Sequence, residues 1–298
     1  MCLRLVGSEM CIRDSTTTID LLNERNLLGS NKSWTNYSYY FGATETNLDE
    51  IKRLNPKETC GLKVFMGTST GTLLVEDDFA LEQIFQFCPV TIVTHCEDNE
   101  TIKNNSDKVN SQNKALDASF HPIIRDDLCC YKSSSKVIDL AKKYSSDLHV
   151  LHLTTEKEIK LFENIDLKNK KITCEVCVHH LWFDESDYEK LGNFIVCNPA
   201  IKKVSDRNAL RKALKDGFID YVATDHAPHS YEDKKLSYGK APAGIPLIEH
   251  SFHMMIELHK QGYYSLEEVI SYMSHKVADR FSIQDRGYVR EGFKADLM

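Results

Sequence analysis

The strongest constraint on the fold is a regular alternation of short apolar runs with amphipathic stretches. Six runs have the length and the β-branched or aromatic content of buried strands. They cover residues 38–43, 61–66, 90–94, 148–153, 171–178 and 219–224. Because most are followed by a helical pattern, the sequence predicts a parallel α/β sheet or barrel. Six strands are two fewer than the eight that close a (β/α)8 TIM-type barrel.

Helical patterns fill most of the intervals between these runs. They cover residues 16–28, 47–54, 76–87, 133–144, 205–215, 246–260 and 265–281. Thr155 with Glu158, and Ser265 with Glu268, have the spacing of capping boxes and predict two helix starts. Residues 97–114 are interpreted as a polar excursion without an element of their own.

The chain divides into three parts on this interpretation. Residues 1–15 have no usable period and are interpreted as a foreign or mis-joined leader. Residues 16–283 form the main α/β domain. Residues 284–298 turn strand-like at Tyr288 and Val289 and are expected to begin the return to a second, small β domain.

Composition excludes several classes of protein. The 37 basic and 44 acidic residues give a formal net charge of -7, and no basic run is present, so a nucleic-acid partner is not expected. No apolar run approaches the roughly 20 residues that span a bilayer. Ten cysteines without a framework of spacings suit free thiols in the cytoplasm. Cys174 and Cys177 are spaced like half a zinc finger, but no second pair follows, so a structural zinc at this pair is disfavoured.

Four groups that bind metal, directly or after modification, occupy comparable places near the ends of four predicted strands. They are Lys63, His95, His152 and Asp225. Since the carboxyl ends of parallel strands meet at one mouth, we expect these side chains to converge. Such ligands suit a borderline cation such as zinc, which lowers the pKa of bound water to about 7. The pattern predicts metal-assisted hydrolysis, with Asp225 as metal ligand and as general base and acid.

Each of these residues has a simpler explanation when it is taken singly. A lone histidine is more often structural than a ligand, and Asp225, His226 and His229 alone could form a hydrogen-bonded turn. Lys63 is harder to dismiss, because an unpaired ammonium within an apolar strand is costly to bury. Lys63 therefore requires a partner or a chemical modification.

Six motifs extend this set along the chain. They are GLKVFMGTSTG at 61–71, THCE at 94–97, LHLT at 151–154, EVCVHHL at 175–181, NPAIK at 198–202 and TDHAPH at 224–229. Their order resembles that of the class I dihydroorotases, metal-dependent enzymes of the amidohydrolase superfamily that are built on a (β/α)8 barrel. The resemblance runs from about Thr16 to the last residue, and 285–297 resembles the family's return strand into a small β-sandwich.

The resemblance implies a binuclear zinc centre. Lys63 would be carboxylated to a carbamate that bridges two Zn²⁺ ions, His95 and His152 would bind the second zinc, and Asp225 would bind the first. The carbamate is an anion held by two cations, so the cost of a buried ammonium disappears. The bridging hydroxide would attack the ring amide of dihydroorotate, with Asp225 transferring the proton to the leaving nitrogen.

The resemblance also implies a substrate and its contacts. The substrate pair is N-carbamoyl-L-aspartate and dihydroorotate, interconverted in pyrimidine biosynthesis. Asn198, His229 and the backbone of Ala243 and Gly244 would contact it, although Gly244 also suits a simple turn. The two histidines of the motif at 175–181 receive no role.

The sequence departs from the family at its beginning. The family's first strand carries a His-x-His pair followed by a substrate-binding arginine, and its second strand ends in an Asn-bearing turn; none of these is found in the chain. Strands one and two of the barrel are therefore expected to be missing, which leaves strand edges uncovered. The first zinc would keep only Lys63 and Asp225. We expect a dihydroorotase truncated at both ends, with little or no activity.

Two other readings compete with dihydroorotase. A cyclic-amide hydrolase of the hydantoinase, dihydropyrimidinase or allantoinase type shares the lysine and the zinc histidines, whereas the motifs at 198–202 and 241–244 favour dihydroorotase. A non-catalytic scaffold is the alternative from another class, but it has no physical need for four metal-binding groups. The sequence leaves open whether the chain forms a homo-oligomer.

Overall fold

The computed structural model describes residues 16–67, 73–112 and 115–297. Its centre is one parallel sheet whose six strands follow each other in sequence order. The strands are β1 Tyr40–Gly42, β2 Gly61–Phe65, β3 Ile92–His95, β4 Leu148–Val150, β5 Ile172–Cys177 and β6 Tyr221–Ala223. Each pairs in parallel with the next, and β1 and β6 form the two edges of the sheet within the described ranges. The six predicted strands and their parallel order are confirmed.

Helices connect the strands and cover one face of the sheet. They are α1 Ile19–Lys32, α2 Leu48–Ile51, α3 Asp78–Phe87, α4 Asn99–Gln112, α5 His121–Ile124, α6 Asp127–Tyr144, α7 Glu156–Ile159, α8 Val178–Trp182, α9 Tyr188–Leu191, α10 Val204–Asp216, α11 Tyr231–Lys234, α12 Ser251–Lys260, α13 Leu266–Ile270 and α14 Lys276–Arg280. None of the described helices has the length and apolar character needed to cross a membrane.

The alternation of side chains along each strand separates two environments. Residues such as Leu62, Ile92 and Val222 belong to the main hydrophobic cluster between the sheet and the helices. The intervening residues lie on the opposite face, where Tyr40, Val93 and Leu151 form a small second cluster. Lys63, His95, His149, Glu175 and Tyr221 alternate onto this same face and are buried. The strands thus bring polar groups together on the face opposite the main hydrophobic cluster.

The helix predictions are confirmed in outline, with differences in extent. The predicted helix 265–281 begins with the expected capping box, in which Ser265 accepts from the Glu268 amide and Glu268 accepts from the Ser265 amide. It is then interrupted by a π-helical turn, Ser271–His275, between α13 and α14. At the other capping site Thr155 accepts from the amide of Glu158 and caps α7.

One prediction is wrong in the middle of the chain. Residues 97–114 were expected to form no element, but α4 occupies Asn99–Gln112. Asp98 caps this helix by accepting from the amide of Thr101. Thr101 and Val109 are its only buried residues, so the apolar period was too weak to detect.

The predicted domain limits stay predictions. Tyr288 and Val289 belong to no strand in the described tail, where residues 281–297 form turns and irregular structure. The start of a second domain at residue 284 stays a prediction. The expected leader, residues 1–15, lies outside the described residues, as do residues 68–71 of the first motif.

Candidate active site

The four predicted metal-binding groups lie on one side of the sheet. Lys63 is the third residue of β2, His95 is the last residue of β3, and His152 and Asp225 follow β4 and β6 by two residues. Lys63, His95 and His152 are buried, whereas Asp225 keeps some exposure to solvent. The prediction that they converge is supported by the contacts described next, although Lys63 lies within its strand and not at its end.

Two imidazoles face each other at the centre of this group. The Nδ1 atom of His95 lies 3.1 Å from the Nε2 atom of His152, and the two rings meet edge to face. Burial lowers the pKa of both histidines, so both rings are neutral near pH 7. A neutral imidazole offers a lone pair, which is the form that binds a metal.

A carboxylate and a guanidinium fix the orientation of His95. The Nε2 atom of His95 lies 2.9 Å from Oε2 of Glu97, and Arg125 donates to the same oxygen at 2.5 Å. Because Glu97 accepts hydrogen bonds, His95 carries its proton on Nε2 and presents Nδ1 to His152. A carboxylate behind a ligand histidine is the usual way in which proteins orient such a ring.

Lys63 and Asp225 complete the group through their electrostatic interactions. The ammonium of Lys63 is close enough to lower the pKa of His95, His152 and Asp225. Desolvation by the surrounding protein raises the pKa of Asp225 to about 6, since it outweighs the opposing effect of Lys63, and the nearby Glu175 adds to the increase. A carboxyl group that titrates near neutrality can both accept and donate a proton.

Backbone geometry marks two of the four residues. His152 has a φ of 38° and Asp225 a φ of 41°, in the left-handed region that residues other than glycine rarely adopt. Conformations of this kind cost of order 1–3 kcal/mol and cluster at functional sites. Both residues follow a strand, so the turn that ends the strand is what places each side chain.

Asn198 is held by a buried histidine that sequence reasoning missed. The Nε2 atom of His121 lies 3.0 Å from the carbonyl oxygen of Cys197 and 3.1 Å from Oδ1 of Asn198. Because both partners are acceptors, Nε2 carries the proton, and Nδ1 accepts from the hydroxyl of Tyr238 at 3.0 Å. The Nδ2 group of Asn198 remains as a donor for another partner.

The other predicted substrate contacts lie in one small loop arrangement. His229 and Ala243 are joined by a 3.0 Å contact between Nε2 and the carbonyl oxygen, so Nε2 donates. Gly244 has a φ of 122°, and a Cβ atom there would lie 2.4 Å from Cβ of Ala227. Its amide donates to Val196, two residues before Asn198. The position therefore requires glycine for conformation and for space, beyond the needs of a simple turn.

Comparison with known proteins places this architecture. The model of the Amidohydrolase family matches residues 89–298, well over half of the chain. The chain belongs to the amidohydrolase family. Members of this family are generally metal-dependent, which agrees with the convergence of histidine, carboxylate and lysine on one face of the sheet.

Relatives of this amidohydrolase include dihydroorotases. The dihydroorotase of Bacillus subtilis (strain 168) is 32% identical over 207 residues, which cover 69% of this chain and 47% of the relative. The dihydroorotase of Ligilactobacillus salivarius (strain UCC118) is 34% identical over 211 residues, covering 70% and 48%. The chain thus spans about half the length of the curated relatives it matches.

Solved structures share the fold of this amidohydrolase. L-Hydantoinase (dihydropyrimidinase) from Arthrobacter aurescens superposes with a TM-score of 0.85 at 24% identity, covering 94% of this chain and 64% of that one. Dihydroorotase from Saccharomyces cerevisiae, in complex with 5-fluoroorotic acid, gives a TM-score of 0.68 at 18% identity, covering 90% and 74%. At these identities the likeness concerns the fold alone.

The donor set of this amidohydrolase fits a tetrahedral metal ion. Two nitrogens bound to one Zn²⁺ at about 2.05 Å and a tetrahedral angle lie about 3.3 Å apart. The facing nitrogens of His95 and His152 are 3.1 Å apart. The other ring nitrogen of His152, Nδ1, has no side-chain or backbone partner elsewhere in the described residues, so Nε2 is the nitrogen that faces His95.

Sequence reasoning missed three buried groups on the same face as the centre. His149 lies 2.7 Å from the hydroxyl of Tyr221 and 3.3 Å from Glu175, and its ring stacks on Tyr221. Their signal was available, because each occupies an inward position of its strand by the two-residue period. The prediction considered only residues near the ends of strands and therefore passed over them.

Lys234 was also missed, and it holds together the loops that carry the predicted substrate contacts. Its buried ammonium donates to the carbonyl oxygens of Val196 at 3.0 Å, Pro242 at 2.8 Å and Gly244 at 2.8 Å. These carbonyls belong to the segments that carry Asn198 and Ala243. Lys234 thus joins the two segments that carry predicted substrate contacts.

Replacing Lys234 by methionine is expected to destabilise the fold by about 3 kcal/mol, because three carbonyls lose a charged donor. The measurement is the free energy of unfolding in urea. Lys235→Met is the matched control, since Lys235 is the adjacent, exposed lysine. Equal stability of the two variants would show that Lys234 does not hold the loop.

Proposed function

We propose that this chain carries the catalytic face of a dihydroorotase, which interconverts N-carbamoyl-L-aspartate and dihydroorotate in a zinc-dependent reaction of pyrimidine biosynthesis. The observation that carries the proposal is the pair of imidazole nitrogens of His95 and His152, 3.1 Å apart. Lys63 is close enough to act electrostatically on both rings and on Asp225. The sequence relatives that are named dihydroorotase support the choice of substrate.

His95, His152 and Asp225 would hold zinc together with Lys63, which is proposed to be carboxylated. When bound, zinc supplies a Lewis acid that lowers the pKa of water and polarises an amide carbonyl. Glu97 keeps the proton of His95 on Nε2, so Nδ1 stays available as a ligand. A carbamate on Lys63 would turn a buried cation into an anionic ligand.

Asp225 is proposed to move the proton. In hydrolysis its carboxylate takes a proton from the attacking water as the carbon–oxygen bond forms at the ring carbonyl. It then delivers that proton to the ring nitrogen as the carbon–nitrogen bond breaks, which gives N-carbamoyl-L-aspartate. A pKa of about 6 suits both halves of this transfer, and the reverse sequence closes the ring.

The substrate is proposed to lie between two segments that Lys234 joins. His121 fixes Oδ1 of the Asn198 side chain, which leaves Nδ2 of the same amide to donate to the substrate. His229 and the backbone of Ala243 and Gly244 would supply the remaining polar contacts. These donors suit a ring that carries carbonyl groups and a carboxylate.

The centre is proposed to load unevenly with zinc. One ion would have His95, His152 and the Lys63 carbamate as ligands, whereas the other would have only the carbamate and Asp225. The 298 residues contain no His-x-His pair to complete the second position. We expect turnover by this chain to be low, so substrate binding is the more sensitive test.

A hydantoinase-type cyclic-amide hydrolase is the second candidate. The hydantoinase structure and the yeast dihydroorotase both share the fold, with TM-scores of 0.85 and 0.68, so the fold is compatible with either activity. The dihydroorotase-like motifs at 198–202 and 241–244 favour the first candidate. A non-catalytic scaffold would need neither His95 nor His152 to face each other.

The deciding experiment compares three ligands on the zinc-loaded chain. Dihydroorotate is expected to bind measurably by calorimetry and to be hydrolysed slowly, whereas hydantoin and allantoin bind more weakly. Asp225→Asn is expected to remove the residual hydrolysis, by a factor of about 100 or more, because the group that moves the proton is lost. Preferential binding and turnover of hydantoin, or no binding of dihydroorotate at all, would reject the proposal.

A further inference from the structure

We propose that Cys177, His179 and His180 form an additional metal site that takes a borderline-soft divalent cation such as Zn²⁺. One ligand atom from each of these three residues lies within 4.8 Å of the others, and all three residues are buried. They sit where β5 ends and α8 begins. The inference stands on this geometry and does not depend on the proposed function.

His179 supplies the observation that points to a ligand. The residue is only 1% exposed, and neither of its ring nitrogens has a hydrogen-bond partner in the part of the chain that the structure describes. A buried polar group without a hydrogen-bond partner costs about 1–3 kcal/mol, and such groups are rare in native proteins. A metal ion bound to one ring nitrogen would offset this cost.

His180 has the arrangement of an oriented ligand. Its Nε2 donates to the carbonyl oxygen of Pro199 at 3.1 Å, so the proton is on Nε2 and the lone pair is on Nδ1. That Nδ1 atom has no hydrogen-bond partner among the described residues. A backbone carbonyl that holds the far nitrogen is a common partner of metal-binding histidines.

Cys177 would provide a thiolate. It is the last residue of β5 and is fully buried, and burial raises its pKa well above the usual range in the absence of a cation. A coordinated divalent cation removes the thiol proton outright. Sulfur and nitrogen ligands of one tetrahedral zinc lie about 3.5 Å apart, so side-chain shifts of about 1 Å close the site.

A second buried group of metal-binding residue types has surroundings that disfavour a cation. It consists of Glu97, Cys129 and Cys130, which lie close together. Arg125 already pairs with Glu97, and the ammonium of Lys202 lies 3.5 Å from the sulfur of Cys130. Two cations beside this group repel a third, so we assign no metal to it and use it as an internal control.

The proposed site differs in chemistry from the catalytic centre that it adjoins. His180 is near enough to His152 to lower its pKa, yet the catalytic group contains no thiol. Cobalt bound by a thiolate shows an intense near-ultraviolet charge-transfer band, and cobalt bound only by nitrogen and oxygen does not. This band therefore separates a thiolate site from the catalytic group, and cysteine variants show which thiol carries it.

The test uses the full chain with Cys2→Ser and Cys11→Ser, so that thiols outside the described residues do not contribute. Metal-free protein is titrated with Co²⁺, and the thiolate band is expected to appear. Cys177→Ser should abolish the band and remove about one equivalent of bound metal, whereas Cys130→Ser should leave both unchanged. Loss of the band in Cys130→Ser, or its persistence in Cys177→Ser, would overturn the assignment.

X-ray absorption on the zinc-loaded chain with Cys2→Ser and Cys11→Ser tests the site without replacing any of its three proposed ligands. A zinc–sulfur path near 2.3 Å beside zinc–nitrogen paths is the expected result. A spectrum with nitrogen and oxygen ligands only would reject the thiolate site even if Cys177→Ser fails to fold. That outcome leaves the dihydroorotase proposal intact, since the two sites share no ligand.

Discussion

Glu97→Gln is expected to lower the free energy of unfolding by about 3 kcal/mol and to weaken zinc binding at the catalytic face 10- to 100-fold. Glu97 is fully buried between His95 and Arg125. Burial alone would raise its pKa, but Arg125 and His95 together lower it to about 2. The ionised carboxylate is therefore favoured in the folded chain, and the amide variant loses this stabilisation of roughly 3 kcal/mol.

The zinc effect has a separate cause. A neutral amide accepts a weaker hydrogen bond from Nε2 of His95, so the ring loses basicity and fixed orientation. Glu100→Gln, at the exposed start of α4, is the matched control and should change neither quantity. Chemical unfolding and competition with a zinc chelator measure the two effects. Unchanged zinc affinity in Glu97→Gln would show that Glu97 does not orient a ligand.

Short apolar runs made most of the sheet predictable. Each strand was detectable because its residues are buried on both faces of the sheet, as the burial of every residue in β2 and β3 shows. The order of the strands followed from the helical patterns between them, since parallel neighbours need crossover connections. Helix α4 escaped because only Thr101 and Val109 of its residues are buried. Apolar periodicity cannot reveal a helix that buries only two of its side chains.

The candidate site was predictable where chemistry coincides with a strand's position. Lys63, His95, His152 and Asp225 stand out because metal-binding types recur near four strand ends. Lys234 could not be found in this way, since its role depends on carbonyls that only the folded loop brings together. Cys177 was considered only as the partner of Cys174 in a zinc-finger spacing, within the predicted strand 171–178. Residues three apart on a strand point to opposite faces, so that pairing could not form.

Acid is expected to destabilise the metal-free protein below pH 6.5, because buried histidines resist protonation in the folded chain. Burial lowers the pKa of His121 to about 4 and that of His179 to about 3, against an ordinary value of 6.5. Below pH 6.5 the unfolded chain takes up these two protons, which the folded chain excludes. Burial lowers the pKa of His95, His152 and His180 as well, so these three histidines add to the loss of stability. Stability is therefore complete above pH 6.5 and falls as the pH decreases. Each histidine costs about 2 kcal/mol between pH 6.5 and pH 5.

Two carboxyl groups, Glu158 and Asp225, oppose this trend because burial raises the pKa of each. Asp225 has a raised pKa of about 6, so its folded form binds a proton before the unfolded form does. Between pH 6 and pH 5 it returns about 1.4 kcal/mol, less than the loss from the two histidines. The net change should remain destabilising.

Urea unfolding at pH 7.5, 6.5, 5.5 and 5.0 with a chelator present measures this slope. His121→Gln should reduce the slope below pH 6.5 by about one proton, or 1.4 kcal/mol per pH unit, whatever its effect on stability at neutral pH. His253→Gln is the control, because His253 is exposed and should leave the slope unchanged. A wild-type protein whose stability is flat or rising between pH 6.5 and pH 5 would contradict this prediction. It would mean that these imidazoles are protonated in the folded chain. The metal sites could then not be built on neutral, buried histidines.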